Sequence, residues 1–160
     1  MPDGKTLYDE DFVAWSRQQA KALREAARPG SNQNLDWENL AEEIEGLGIS
    51  QRSAVGSHIM RIIQHLAKLD HSPAAEPRNG WRRSVRLARI KVEQRLDENP
   101  SLRSEVSQII QDEMRRGLEY AIADLEEHGE IDEVDANALR RTRYTPEQIL
   151  GDWFPPEPGR

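Results

Sequence analysis

Apolar residues recur at helical spacing along most of the chain, and no segment alternates as a half-buried strand would. In the stretch from Leu35 to Gly48, Trp37, Leu40, Ile44 and Leu47 fall on one narrow face at about 100° per residue. Glu38, Glu42 and Glu45 point elsewhere, so the segment reads as an amphipathic helix laid on a bundle. A helix before it is expected from about Asp9 to Ala27, with Phe12, Trp15, Ala22, Leu23 and Ala26 tracing its apolar side. Pro29-Gly30-Ser31-Asn32 ends that helix. Asp36 suits the N-cap of the second helix, and the Gly46/Gly48 pair predicts its end. Ser50 would then cap a third helix reaching about Asp70, in which Val55, Ile59, Ile62, Leu66 and Leu69 follow the spacing of a bundle seam.

Beyond the loop at Ser72-Pro73 to Pro77, a fourth helix from about Gly80 to Asp97 carries Trp81, Val85, Ala88, Val92 and Leu96 on one stripe. Asn99 and Pro100 suit the N-cap and first position of a long fifth helix running through Leu102, Val106, Ile109, Ile110, Leu118, Ala121 and Leu125. Gly129 is placed to close it. Between Ile131 and Thr142 the apolar residues are too sparse to choose between a short helix and a packed loop. Thr145-Pro146-Glu147-Gln148 is a capping box with proline at the first helical position and opens a short last helix. Pro155, Pro156 and Pro158 read as a terminal linker. The expectation is an all-α, single-domain antiparallel helical bundle of five main helices plus a short C-terminal one. Its core spans about residues 7–154, with flexible tails at 1–6 and 155–160.

Composition narrows the function classes. At 160 residues the chain can bury one core without staples. It has no cysteine, which removes disulfides, thiolate zinc sites and cysteine nucleophiles. The start lacks an apolar signal core, and no window approaches the about 18 continuous apolar residues of a membrane span. A cytoplasmic protein with no membrane association is expected. The net charge of −7 hides segregation, because Arg78 to Arg95 is strongly basic and Asp112 to Asp135 strongly acidic. The two blocks can pair across helices or face different partners.

Chemical motifs are scarce. No Glu-x-x-His, His-x-x-x-His, Gly-x-Ser-x-Gly, Walker or dinucleotide glycine pattern occurs, and no cofactor is implied. If the second and third helices faced each other, Asn39, Glu43, His58 and His65 could gather into a polar metal or small-molecule site. The plainer reading is a boundary histidine hydrogen-bonded to a carboxylate. Arg82, Arg86 and Arg89 form a ridge on the fourth helix that could grip the phosphates of a nucleic acid. The acidic pI near 5.2 and the absence of exposed stacking aromatics in this region favour a solvated or ion-paired face instead. Leu87 and Ile90 point away from the core stripe of that helix and are candidates for a homodimer interface.

Four stretches, Leu7-Tyr8-Asp9-Glu10-Asp11-Phe12-Val13-Ala14-Trp15, the Leu35 to Gly48 block, Asn99-Pro100-Ser101-Leu102-Arg103, and Tyr144-Thr145-Pro146-Glu147-Gln148-Ile149-Leu150, together resemble one bacterial family, domain of unknown function family 29. His65-Leu66-Ala67-Lys68 is similar to the family's His-Leu-Leu-Lys run, although Leu69-Asp70 replaces the aromatic residue expected after it. The resemblance implies an all-helical bundle and brings no catalytic residue or cofactor. The functional expectation is therefore a non-enzymatic, self-associating interaction or scaffold protein, with nucleic-acid binding and a metal or small-molecule site as alternatives.

Overall fold

The computed structural model describes residues 4–27 and 34–157. Among them lie helices α1 (Leu7–Glu10), α2 (Phe12–Ala26), α3 (Trp37–His71), α4 (Arg78–Glu98), α5 (Val106–Glu127), α6 (Glu133–Arg141) and α7 (Pro146–Leu150). A 3₁₀ helix (Pro100–Glu105) precedes α5, and no strand occurs among the described residues. The break expected at Pro29-Gly30-Ser31-Asn32 lies outside them. Contacts gather the chain into two compact units, Met1–Ala54 with Gln94–Glu105 and Val55–Glu93 with Val106–Arg160.

The first unit is organised by small residues. Asp11 ends α1 and caps α2, its Oδ1 accepting from Ala14 N at 2.8 Å. The buried side of α2 is Val13, Ser16 and Ala20, not the side running through Ala22 and Ala26, both of which are exposed. Phe12 and Trp15 are half-buried and meet Tyr8, with the Tyr8 and Trp15 ring centroids 4.8 Å apart. The physical reason is close approach, because Ser16 Oγ occupies the space that a Cβ on Gly48 of α3 would need. Gly48 is thus a packing residue. The Gly46/Gly48 pair does not end a helix, and the expected second and third helices are one, Trp37–His71. Ser50 Oγ donates back to Gly46 O at 2.9 Å within that helix and caps nothing new.

The same contact turns the early part of α3. Ala41 and Gly48 are buried, whereas Leu40 and Leu47 are 41% and 49% exposed, so the expected stripe lies on the flank of the packed face. Arg24 holds Glu45 at 2.7 Å and Glu38 at 3.4 Å, which pairs part of the carboxylate face. Glu105 at the end of the 3₁₀ helix receives Arg17 at 2.7 Å and Arg52 at 2.9 Å. Burial opposes its ionisation, but the two guanidinium bonds outweigh that and hold its carboxyl below the usual range. Thr6, expected in a tail, donates its N–H to Asp9 and opens α1.

The second unit contains the larger core. Ile59, Ile62, Leu66 and Leu69 of α3 are fully buried with Val85 and Val92 of α4, as their spacing predicts. Ile109, Leu118, Ile122 and Leu125 supply the α5 side. A Cβ on Gly117 would lie 2.7 Å from Ile63 Cγ2 and 3.0 Å from Met60 O, so α3 and α5 cross closely there. Gly129 closes α5 in the left-handed region at φ 64°, with Glu130 N bonded to Leu125 O and Gly129 N to Glu126 O. The undecided segment is a helix, α6, with Asp132 and Asp135 forming a capping box and Ala136 and Leu139 buried. Thr145 and Gln148 cap α7 as expected. The described residues past α7 are held to the fold, since Pro155 is buried and Glu157 pairs with Arg82 at 2.9 Å, whereas Pro158 lies outside the described residues.

Candidate functional site

Lys68, one turn after His65 on α3, anchors a polar cluster of the second unit. Its ammonium lies 3.0 Å from Asp124 Oδ2 on α5 and 4.7 Å from the centroid of the Trp81 ring on α4. Gln64 Nε2 donates to the same carboxylate oxygen at 2.8 Å, and His128 Nδ1 sits 2.7 Å from Asp124 O. Lys68, Trp81, Asp124 and His128 enclose a small pocket of about 190 Å³ together with Pro77, Leu125 and Glu130. Burial raises the Asp124 carboxyl, but its bonds to Lys68 and Gln64 and the nearby cationic charge outweigh this and leave it below the ordinary range. His65 behaves oppositely. Burial, reinforced by the charges of Lys68 and Arg61, pushes its imidazole down to about 4, so the ring is neutral near pH 7. Its Nδ1 is buried without a hydrogen-bond partner among the described residues.

Chemically, this cluster is a matched ion pair against a ring face, the arrangement by which a partly buried cation is satisfied. It contains no nucleophile aligned with a base and an orienting acid. Sequence reasoning singled out His65 but missed the Asp124, Trp81 and Gln64 that gather around its neighbour Lys68. The only signal was the similarity of His65-Leu66-Ala67-Lys68 to the family run.

The four residues of the expected polar site are not gathered by facing helices, because Asn39, Glu43, His58 and His65 all lie along α3. Asn39 Nδ2 donates to Asp36 Oδ2 at 2.6 Å at the helix start, and Glu43 is exposed. His58 lines a groove of about 290 Å³ with Arg61, Leu87 and Lys91. No grouping of three or more His, Asp or Glu residues able to hold a metal occurs among the described residues.

The arginine ridge is occupied by the chain itself. Arg89 donates to Ile149 O, Gln148 O and Trp153 O at 2.8, 2.8 and 2.7 Å, and its guanidinium lies 4.8 Å from the Phe154 ring centroid. Arg86 approaches the same ring at 5.6 Å, and Arg82 pairs with Glu157. Arg89 and Arg82 are thus engaged within the chain, by α7 and by the segment after it. Arg78, one turn before Arg82, is buried and donates to Leu69 O at 2.7 Å, closing the end of α3. Burial lowers the Arg89 pKa, with the Asp152 charge acting against it. No helix among the described residues is long and apolar enough to cross a membrane.

Leu87 and Ile90, the expected interface residues, are both exposed on α4. Leu87 shares the His58 groove, and Ile90 lines a shallow cavity with Arg86, Asp152 and Phe154.

Among curated proteins, none matches the chain. A solved alpha-helical protein of unknown function from Rhodospirillum rubrum ATCC 11170 is similar to it, with 26% identity and a TM-score of 0.68 over 94% of this chain and 92% of that one. A family model described as Domain of unknown function DUF29 matches residues 7–154. With the capping residues of its four recognisable stretches now placed in helices, the chain belongs to the DUF29 family.

Proposed function

We propose that this is a non-enzymatic helical interaction or scaffold protein of the bacterial cytoplasm that associates with copies of itself through the outer face of α4. The observation that supports it is the exposure of Leu87 and Ile90, 46% and 63%, on a helix that already buries Val85, Ala88 and Val92 on its core side. Two large aliphatic side chains one turn apart leave that helix a second apolar face. Arg83, Arg86 and Lys91 beside them outnumber Glu93 and Asp152 and leave the face net basic. A complement is present on the early part of α3, where exposed Leu40 and Leu47 flank Glu43. Basic-apolar against acidic-apolar is a heterologous pairing, in which two different patches of identical chains meet.

Native mass spectrometry across a concentration series tests this reading. The wild-type chain is expected to populate a multimer, and Ile90→Asp or Leu87→Asp to shift it to monomer with helicity unchanged. A wild-type chain that stays monomeric, or variants that assemble as before, would overturn it.

A further inference from the structure

Ser107, Ile110, Gln111, Met114 and Arg115 occupy one face of α5, and that face looks onto the connection between α6 and α7. The two sides enclose a groove of about 460 Å³, within the range of small-molecule sites. Its floor is apolar and rigid. Ile110, Met114 and Tyr144 are 3%, 7% and 5% exposed, and Pro146 adds a fixed ring at the start of α7. Tyr144 is pinned from behind, its hydroxyl donating to Asp70 Oδ2 at 3.1 Å. Burial and that carboxylate push the phenol above its ordinary pKa range, so it stays a neutral wall.

The rim carries the opposite character. Arg115 and Arg143 are exposed at its edge, and no carboxylate lines the groove, although the chain as a whole is acidic. Arg143 is held in place by its own backbone, donating from Nη1 to Arg140 O at 2.8 Å and Thr142 O at 2.7 Å. Arg115 makes no hydrogen bond or ion pair among the described residues. An anchored cation and one that faces Glu119 only through space, without a bond to it, above an apolar floor complement a molecule with an aliphatic tail and an anionic head.

We propose that this groove binds a small carboxylate-headed aliphatic molecule, the tail lying over Ile110, Met114 and Tyr144 and the head between Arg115 and Arg143. The site is separate from the α4 face and does not rest on self-association. Calorimetric titration of the full chain with decanoate, with decanol as the same tail without the charge, tests it. Decanoate should bind saturably at one per chain and about tenfold tighter than decanol, the worth of a charge-assisted contact. The Arg115→Ala/Arg143→Ala double variant should lose that margin, since both side chains are exposed and their removal leaves the core intact. Gln111→Trp, at an exposed position on the groove wall, should fill the space and weaken both ligands together. Equal affinity for decanoate and decanol, undiminished binding by the double variant, or no saturable binding at all would each overturn the proposal.

Discussion

Asp11 and Ser101 stand 90 positions apart in sequence and share two hydrogen bonds, Ser101 N to Asp11 Oδ2 at 2.6 Å and Ser101 Oγ to Asp11 Oδ1 at 2.9 Å. The exchange is reciprocal. Asn99 Oδ1 accepts from Val13 N at 3.2 Å in the first turn of α2, while Asp11 serves the first turn of the 3₁₀ helix. Each helix start is capped by the other's side chain, which satisfies donors left over by both. Two of the stretches shared with the family meet at this point, so their joint presence has a structural reason.

Asp11→Ala should therefore destabilise the first unit by about 2–3 kcal/mol, more than a single lost cap, because three donors lose their acceptor. Asp11→Asn should recover only part, since its amide would face the Ser101 N–H donor. Urea denaturation of both variants measures the difference. A loss below about 0.5 kcal/mol for the alanine variant would show that water replaces these bonds freely.

Gly117→Ala tests the crossing of α3 and α5. The added methyl meets Ile63 Cγ2 at 2.7 Å and the Met60 carbonyl at 3.0 Å, and backbone cannot yield as a flexible side chain does. A loss of about 1–3 kcal/mol is expected despite alanine's better helix propensity. A thermal midpoint at or above that of the wild type would refute the crowding.

His65 sets an acid-side dependence. Its folded pKa of about 4 lies below the ordinary value of 6.5, so the unfolded chain binds the proton first as pH falls. Stability from this ring is fully present above about pH 6.5 and is lost progressively down to about pH 4. For a half-exposed ring the loss is on the order of 1–2 kcal/mol. His65→Gln should flatten the stability profile between pH 6.5 and 4 relative to wild type, measured by denaturation at each pH. Parallel profiles would place the proton elsewhere.

Arg89→Lys keeps the charge and removes the fork that reaches three carbonyls. The segment from Gln148 to Glu157 should become sensitive to limited proteolysis, with a stability loss of about 1–3 kcal/mol. Resistance equal to wild type would mean that Phe154 and buried Pro155 hold the segment without Arg89.

Helix formation was largely legible in the sequence, because it depends on neighbours three and four positions away. The stripe Val55, Ile59, Ile62, Leu66 and Leu69, the capping box at Thr145 and the left-handed Gly129 could all be read this way. The polar cluster was legible only at His65. Asp124 lies 56 positions from Lys68, and nothing local announces that a carboxylate on α5 will meet it. Family membership was carried by the combination of short stretches, two of which are joined through Asp11 and Asn99.

Tertiary structure alone decided three further matters. It carried α3 through Gly46 and Gly48, because a glycine that ends a helix and one that admits a neighbour look alike until Ser16 is placed against it. It chose Ala41 and Gly48 over Leu40 and Leu47 as the buried side, since two flanks of one helix compete and the closer-fitting partner surface wins. It also set Arg82 and Arg89 of the arginine ridge against the C-terminal segment. Periodicity fixes which residues share a face, and only a neighbour far along the chain determines what that face touches.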